Sequence, residues 1–172
     1  MTSPSPEHIA TPWRSPALVA WCRLLLDSYR RVTGEDLLVR EGTPEAQAEA
    51  CYLAPFALLS HGNEADPILN YGNRTAQTLW EMKWDDLTRT PSRLTAEAVH
   101  REERARFLEE VTRRGCVRDY RGIRISRTGR RFLVEGATVW MVQDGAGRIL
   151  GQAATFTRWS PLEPVSGAAT VS

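Results

Sequence analysis

The stretch ILNYGNRTAQTLWEMKW, residues 68–84, decides the fold of this chain. It begins with a short apolar segment, which predicts a strand, and it turns at Gly72. Asn73 then occupies the position of a helix N-cap, where a side-chain oxygen can accept hydrogen bonds from the unpaired N–H groups of the first turn. The residues that follow at helical spacing share one face and predict the buried side of a short helix: Ala76, Leu79 and Trp80.

The chain before this stretch divides into a tail and a helix. Residues 1–12 are rich in proline, serine and threonine, and we expect a disordered tail. Ser15 and Pro16 suit the start of a helix, and Gly34 suits its end. Apolar residues between them repeat at spacings of four and three and form a seam: Leu18, Cys22, Leu25, Tyr29 and Val32. The helical segment at 13–48 is therefore expected to cap its own domain, to form a dimer interface, or both.

Residues 49–160 form the predicted body of the domain. The run YLAPFALLS at 52–60 predicts a strand, followed by a polar turn that contains His61. After the opening stretch, Thr95 is placed to cap a longer, highly charged helix. Arg104 is expected on the solvated side of that helix.

From Cys116 onward the apolar pattern has a period of two, which predicts a meander of three strands. Alternation along the longest strand, at 132–142, assigns to one face Phe132, Val134 and Trp140. This strand is apolar on both faces, so both faces need cover. Because the internal helices can cover one face, we expect the N-terminal helix, or a dimer partner, to cover the other. Residues 161–172 follow as a second predicted disordered tail.

Composition bounds the class of protein. The chain has 172 residues, of which 42% are hydrophobic and 25% charged, with a mean hydropathy of −0.37 and a net charge of +1. Such values are typical of one globular domain. No apolar run reaches the ~18–20 residues of a membrane span, and the N-terminus lacks the basic and apolar regions of a secretory signal. We therefore expect a cytoplasmic protein that has no membrane partner.

Three blocks of the sequence carry a family resemblance: ILNYGNRTAQTLWEMKWDDLTRTPSRLTAE from residue 68, DYRGIRISRTGRRFLVEGATVW from residue 119 and GQAATFTRW from residue 151. They resemble the bacterial branch of the MEKHLA domain, a PAS-like domain that also occurs at the C-terminus of plant class III homeodomain–leucine zipper proteins. The resemblance implies an α+β fold with a five-stranded antiparallel sheet and helices on one face, to which the N-terminal helix is an addition. It implies neither a ligand nor a reaction, and the DNA-binding segments of the plant proteins do not carry over.

The resemblance also implies where a pocket would lie, because a ligand of a PAS-type fold lies between the helices and the inner face of the sheet. Residues that could line it are Phe56, Leu69, Tyr71, Asn73, Leu79, Trp80, Trp84, Arg93, Ile123, Val134 and Phe156. Further polar groups that could point inward are Asn70, Arg124, Glu135 and Gln152. Aromatic-lined cavities with a few polar groups are typical of small-molecule sites. The same aromatic residues could instead fill a core, and both interpretations stay open.

The sequence leaves the cofactor unknown. A flavin photosensor of the LOV type would carry a reactive cysteine in the helical region, and the segment at 90–95 has none. A haem would need an axial histidine, and His61, the histidine nearest the predicted core, is expected in a solvated turn. Widely spaced cysteines without a CxxC motif predict reduced thiols, and no pair of histidines or carboxylates has metal-binding spacing.

The sequence also offers residues for functions other than ligand sensing. A small isomerase or hydratase of the cone-like type would use Glu135 as a buried base, although such cones begin with helices. A hydrolase is disfavoured, because Ser60 and His61 are adjacent and would point to opposite faces of a strand. The arginine-rich run at 113–131 could bind the phosphates of nucleic acid. Such a run is more often a solvated face paired with acids.

The sequence thus predicts a PAS-like sensory, ligand-binding or protein-interaction module that is not an enzyme and has no output domain of its own. We expect a homodimer that passes its signal to a separate protein, with a small molecule as a further partner and nucleic acid disfavoured. The alternatives are a dimerisation module with a filled core and the cone-like enzyme.

Overall fold

The chain folds into an antiparallel sheet with helices on both faces. The computed structural model describes residues 11–97 and 101–163. The helices are α1 (Pro16–Thr33), α2 (Pro44–Leu53), α3 (Arg74–Trp80), α4 (Trp84–Leu87) and α5 (Arg101–Arg114), with short 3₁₀ turns at Pro12–Arg14 and Ser92–Thr95. The strands are β1 (Ala57–His61), β2 (Leu69–Gly72), β3 (Cys116–Ile125), β4 (Arg131–Gln143), β5 (Ile149–Phe156) and β6 (Arg158–Pro161).

The strands lie in the order β2–β1–β5–β4–β3, and every neighbouring pair is antiparallel. The predicted last strand is divided at Thr157, and β6 continues along the same edge of β4 beyond the end of β5. The predicted α+β class and the five-stranded antiparallel sheet are confirmed, with β6 as a short addition. The tail predictions lie largely outside the described residues; within them, Pro12 begins a 3₁₀ turn and Pro161 ends β6.

The opening stretch forms β2, the turn at Gly72 and α3, as predicted. Asn73 is 0% exposed, and its Oδ1 accepts hydrogen bonds from the N–H of Ala76 at 3.0 Å and from the N–H of Leu58 at 3.1 Å. Its Nδ2 donates to the carbonyl oxygens of Phe56 at 2.8 Å and Cys51 at 3.1 Å. The predicted N-cap is therefore confirmed, and the same amide also joins α3 to β1 and to the end of α2.

The outer face of the sheet is covered by α1 and α2. The whole apolar seam of α1 belongs to this layer, and its most deeply buried member is Leu25, at 0% exposure. Tyr29 packs edge-on against Trp140 of β4 at 5.0 Å between ring centroids, and the Trp140 indole donates to the hydroxyl of Ser28 at 3.1 Å. The N-terminal helix thus covers the face that the sequence left without cover, and it does so within one chain.

The inner face is covered by α3, α4, the 3₁₀ turn at Ser92–Thr95 and α5. Trp80, at the end of α3, packs edge-on against Phe132 of β4 and Phe156 of β5. Further along the sheet, Val111 of α5 contacts Val139 and Met141 of β4. These contacts define the layer in which the resemblance placed a ligand.

The predicted alternation along β4 is wrong after residue 135. Gly136 has a φ of 64° and lies in a bulge, where two residues of β4 oppose one residue of β3. Phe132 and Val134 therefore share the inner face with Ala137 and Val139, and Trp140 points to the outer face. A left-handed backbone conformation is accessible to glycine without a steric penalty, but periodicity alone does not reveal it.

Three local predictions are also wrong. Tyr52 is the penultimate residue of α2 and not part of a strand, because the helix begins at a Thr43 cap and continues to Leu53. Thr95 closes a 3₁₀ turn, in which its hydroxyl donates to the carbonyl of Ser92 at 2.7 Å, and it does not cap α5. His61 is the last residue of β1 and is 9% exposed, so it is not in a solvated turn.

We predict that Asn73→Ala destabilises the fold by at least about 3 kcal/mol, because it removes a helix cap and leaves buried backbone groups of three elements unpaired. Thr43→Ala is the matched control: Thr43 caps α2 through a single exposed bond to Ala46, so its loss should cost about 1 kcal/mol. Denaturant unfolding measures both. Equal losses for the two variants would contradict the central role of Asn73.

We also predict that deletion of residues 1–35 exposes the outer face of the sheet and causes aggregation, because α1 contributes much of that core. Deletion of residues 1–10 is the control and should leave the oligomeric state and the melting temperature unchanged. Light scattering and thermal unfolding test both variants. A soluble product of unchanged melting temperature after the longer deletion would rule out this role for α1.

Candidate functional site

A cavity of about 80 Å³ lies between α5 and the inner face of the sheet. Its floor comes from β1, β4 and β5, and its roof comes from Phe107 and Leu108 of α5. Trp80, Tyr120 and Arg124 stand at its sides. The cavity is therefore in the layer where the sequence predicted a pocket.

Four of the predicted pocket residues line this cavity: Leu69, Trp80, Val134 and Phe156. They come from β2, α3, β4 and β5, and they give the cavity an apolar lower part together with Leu59 and Ala137. Two of the further polar candidates, Arg124 and Gln152, also line it.

The other predicted pocket residues lie elsewhere. Tyr71 is fully buried in the outer layer, where its ring packs edge-on against Trp84 at 5.7 Å, and Phe56 packs against the same layer. Asn73 has the structural role described above. Leu79 lines a surface groove together with Phe132 and Trp159. Arg93 pairs with Asp66 at 3.2 Å, and Ile123 is half-buried on β3.

His61 provides a polar wall of the cavity that the sequence did not predict. Its Nδ1 lies 2.9 Å from the carbonyl oxygen of Gly62, so Nδ1 carries the proton and Nε2 keeps a free lone pair. Burial lowers the pKa of His61, and the positive charge of Arg104 lowers it further. The imidazole is therefore neutral near pH 7 and offers an acceptor. Continuing the alternation of β1 by one residue would have placed His61 beside Leu59, on the inner face.

Three buried polar atoms around the cavity have no hydrogen-bonding partner within the described part of the chain. They are Nε2 of His61, Oε1 of Gln152 and Nε1 of Trp80. The side chains that carry them are 9%, 8% and 2% exposed. Gln152 pairs with His61 across β1 and β5, and its Nε2 donates to the hydroxyl of Thr112 at 3.2 Å. The cavity thus presents two acceptors and one donor that the protein leaves unpaired.

Two arginine side chains line the cavity near α5 and β3. Arg104 donates to the hydroxyl of Ser92, and burial, followed by the charge of Arg124, lowers the pKa of Arg104 to about 10. Arg124 lies over the ring of Tyr120 at 5.2 Å and donates to its hydroxyl at 2.8 Å. Arg104 was predicted to face solvent, because the charge pattern of a helix does not reveal which arginine turns inward.

The rest of the arginine-rich run is mostly paired with acids, as expected of a solvated face. Examples on β3 and the following turn are Arg118 with Glu35 at 3.0 Å and Arg127 with Asp86 at 2.8 Å. Arg121 pairs with Glu135 at 3.2 Å, and the Glu135 side chain is 38% exposed. Glu135 is therefore not the buried base that the enzyme alternative requires.

Three further properties bear on the class of site. Within residues 11–97 and 101–163, no cluster of histidine, cysteine, aspartate or glutamate is arranged to hold a metal ion. Cys22 and Cys51 are buried in the outer layer, Cys116 is half-buried, and none of them forms a disulfide. No helix in the described ranges is long and apolar enough to cross a membrane.

We predict that stability falls as the pH drops from 7.5 to 5.5, and that His61→Gln removes part of this loss. The pKa of His61 is lower in the folded state than its value of about 6.5 in the unfolded chain, so acid favours unfolding. One such group contributes at most about 1.4 kcal/mol per pH unit. Denaturant unfolding at both pH values measures the difference. The same acid-induced loss in both proteins would disprove the assignment.

Comparison with known proteins identifies the family. The model of the MEKHLA domain matches residues 19–161, and a search of curated proteins found no match. Among solved structures, the PAS domain of a protein from Colwellia psychrerythraea is similar with a TM-score of 0.58 and 12% identity, over 69% of this chain and 95% of that one.

Two further structures show the same fold. A PAS domain from a two-component sensor histidine kinase has a TM-score of 0.50 and 16% identity, over 64% of this chain and 88% of that one. An RNA-binding light-oxygen-voltage receptor has a TM-score of 0.58 and 17% identity over 70% of this chain, which spans about a third (34%) of that receptor. The fold is therefore that of a PAS domain, and the chain belongs to the MEKHLA domain family.

Proposed function

We propose that this chain is a PAS-like sensory module that binds a small molecule in the cavity beneath α5, and that it acts by binding and not by catalysis. The observation that carries the proposal is the set of three buried, unpaired polar atoms around a mostly apolar cavity: Nε2 of His61, Oε1 of Gln152 and Nε1 of Trp80. Such atoms are rare in folded proteins and call for an explanation.

The free-energy cost of leaving these three atoms without hydrogen-bond partners supports the presence of a ligand. A buried polar group without a partner costs about 1–3 kcal/mol. On the outer face, the indole of Trp140 bonds Ser28 and the indole of Trp21 bonds Ser60, although the buried hydroxyl of Tyr71 has no partner. Because these two indoles of the closed outer core are paired, the unpaired indole of Trp80 favours a site that is completed from outside.

The lining supports binding and gives little support to the enzyme alternative. Most of the surface is apolar, with a few convergent polar groups, as in small-molecule sites. The lining residues include neither aspartate nor glutamate among those the structure describes, and Glu135 is paired with Arg121 outside the cavity. A carboxylate base is therefore not available where a substrate would bind.

The remaining parts of the proposal concern the location of the protein, its oligomeric state and its partner. We propose a cytoplasmic homodimer that passes its signal to a separate protein partner. The match to the MEKHLA domain motivates the sensory role, and the location, the homodimer and the partner protein are further parts of the proposal. Size-exclusion chromatography with light scattering at several concentrations tests the homodimer directly.

We predict binding of small molecules that place about two to four non-hydrogen atoms inside the cavity, which NMR titration of the ¹⁵N-labelled protein can detect. The size follows from the cavity, whose volume is about half of the 150 Å³ of an engineered cavity that binds benzene. Chemical-shift changes should cluster on β1, β4, β5 and α5. Ala154→Leu, which fills the cavity, should abolish them.

Ala105→Leu is the matched control, because it adds the same side chain to the solvent-exposed side of α5. Binding should survive in this variant. If a broad panel of such molecules produced no shift changes, or changes elsewhere on the protein, the proposed site would be wrong.

A further inference from the structure

The charges around the cavity indicate the chemical class of its ligand. We propose that the cavity binds a short-chain carboxylate, whose carboxylate group is held by Arg104 and Arg124. This inference rests on the proposed function, because it concerns the same cavity. It goes further by naming the ligand class and the two residues that would recognise it.

The two arginines of the cavity differ from those around them. In the described ranges, no carboxylate lies within 4.0 Å of either Arg104 or Arg124. Nearby arginines have acidic partners: Arg127 pairs with Asp86 at 2.8 Å and Arg130 with Glu81 at 3.3 Å. Several arginines on β3 and the turn that follows it thus have acidic partners, whereas the two that face the cavity have none within the described residues.

An unpaired cation that is partly removed from water is unfavourable, so this arrangement needs a counter-ion. Burial lowers the pKa of Arg104, and the positive charge of Arg124 lowers it further, so the two guanidinium groups also repel each other. The hydroxyl groups of Ser92 and Tyr120 and the carbonyl oxygen of Ile123 accept hydrogen bonds from them but carry no negative charge. An anion that contacts both arginines would remove the repulsion and the unpaired charge together.

The guanidinium groups favour a carboxylate by geometry as well as charge. Each presents parallel N–H donors that match the two oxygens of a carboxylate. Arg124 is oriented by the Tyr120 ring beneath it, and that ring stacks on Phe107 at 3.9 Å between centroids. An oriented donor loses less conformational freedom on binding. The stack therefore prepares one side of the anion site.

The rest of the cavity requires an apolar body of small size. Leu59, Leu69, Val134 and Phe156 line the part away from the arginines. The volume of about 80 Å³ admits roughly two to four carbon atoms beyond the charged group, by comparison with the 150 Å³ that accommodate benzene. Inorganic phosphate would fill the charged end and leave this apolar part without contacts. These features favour an organic acid.

The unpaired acceptors narrow the class further. Nε2 of the neutral His61 and Oε1 of Gln152 both need a donor, and a carboxylate has none. A hydroxyl group on the ligand can donate to one of them. We therefore expect short hydroxy acids to bind more tightly than the corresponding plain acids.

The test is a titration of the full chain, followed by ¹⁵N NMR, at constant ionic strength. The probes are sodium propionate, sodium lactate, sodium 3-hydroxybutyrate, the neutral analogues propionamide and 1-propanol, and inorganic phosphate. We expect each carboxylate to bind at least tenfold more tightly than the neutral analogues and phosphate. Lactate should bind more tightly than propionate.

Variants of Arg104 and Arg124 test whether the positive charges of these two residues hold the carboxylate. Arg104→Gln and Arg124→Gln keep hydrogen-bond donors but remove the charge, so each should weaken carboxylate binding at least tenfold and leave the neutral analogues unaffected. Arg104→Lys should restore part of the affinity. Arg127→Gln removes an exposed arginine that is paired with Asp86 and should change nothing. Each glutamine variant tests the idea independently if the other does not fold.

The outcomes separate this inference from the function on which it rests. Equal binding of propionate and propionamide in the cavity would overturn the carboxylate class and leave the ligand-binding function intact. Tighter binding of phosphate than of any carboxylate would overturn it too. If no probe shifts the resonances around the cavity, the carboxylate inference is wrong, and the broader panel described above then decides whether the cavity binds any ligand.

Discussion

The side-chain amide of Asn73 is the interaction on which the rest of the structure depends. A helix cap ordinarily satisfies one or two N–H groups at a helix end. Here the same side chain also accepts from β1 and donates to the carbonyls of Cys51 and Phe56, at 0% exposure. It therefore fixes the start of α3 relative to β1 and α2. Trp80 ends α3, so the position of the cavity wall follows from the position of its cap.

The two faces of the sheet are closed by helices of different character, and this difference explains where the cavity lies. The outer face receives α1, whose seam packs large apolar side chains such as Leu25 and Tyr29 against Trp140. The inner face receives α5, a charged helix that turns only a few apolar residues, such as Phe107 and Val111, toward the sheet. A helix with so few apolar contacts leaves space beneath it, and interiors otherwise contain few voids larger than a water molecule.

Features of the fold that depend on neighbouring residues were predicted from the sequence. Features that depend on contacts between strands were not. The N-cap at Asn73 and the start and stop of α1 depend on neighbouring residues, so the sequence reveals them. The bulge at Gly136 depends on the register between β3 and β4, and the burial of His61 depends on β5, which is distant in sequence. Arg104 was missed for a related reason: the direction of one arginine on a charged helix is decided by what that helix packs against. The apolar floor was consequently predicted in part, and the polar wall was predicted only at Arg124 and Gln152.

The polar wall is built by a close approach of two backbones. A Cβ atom on Gly151 would lie 2.0 Å from the carbonyl oxygen of His61, so only glycine fits opposite the end of β1. This contact brings β5 against β1 where His61 and Gln152 are paired, while Gln152 also donates to Thr112 of α5. A ligand that contacts Arg104 on α5 and His61 on β1 would join the same two layers. Because α5 has few apolar contacts of its own, such a ligand would favour one position of this helix over others. Displacement of α5 relative to the sheet is therefore the physical route by which occupancy of the cavity would reach the surface.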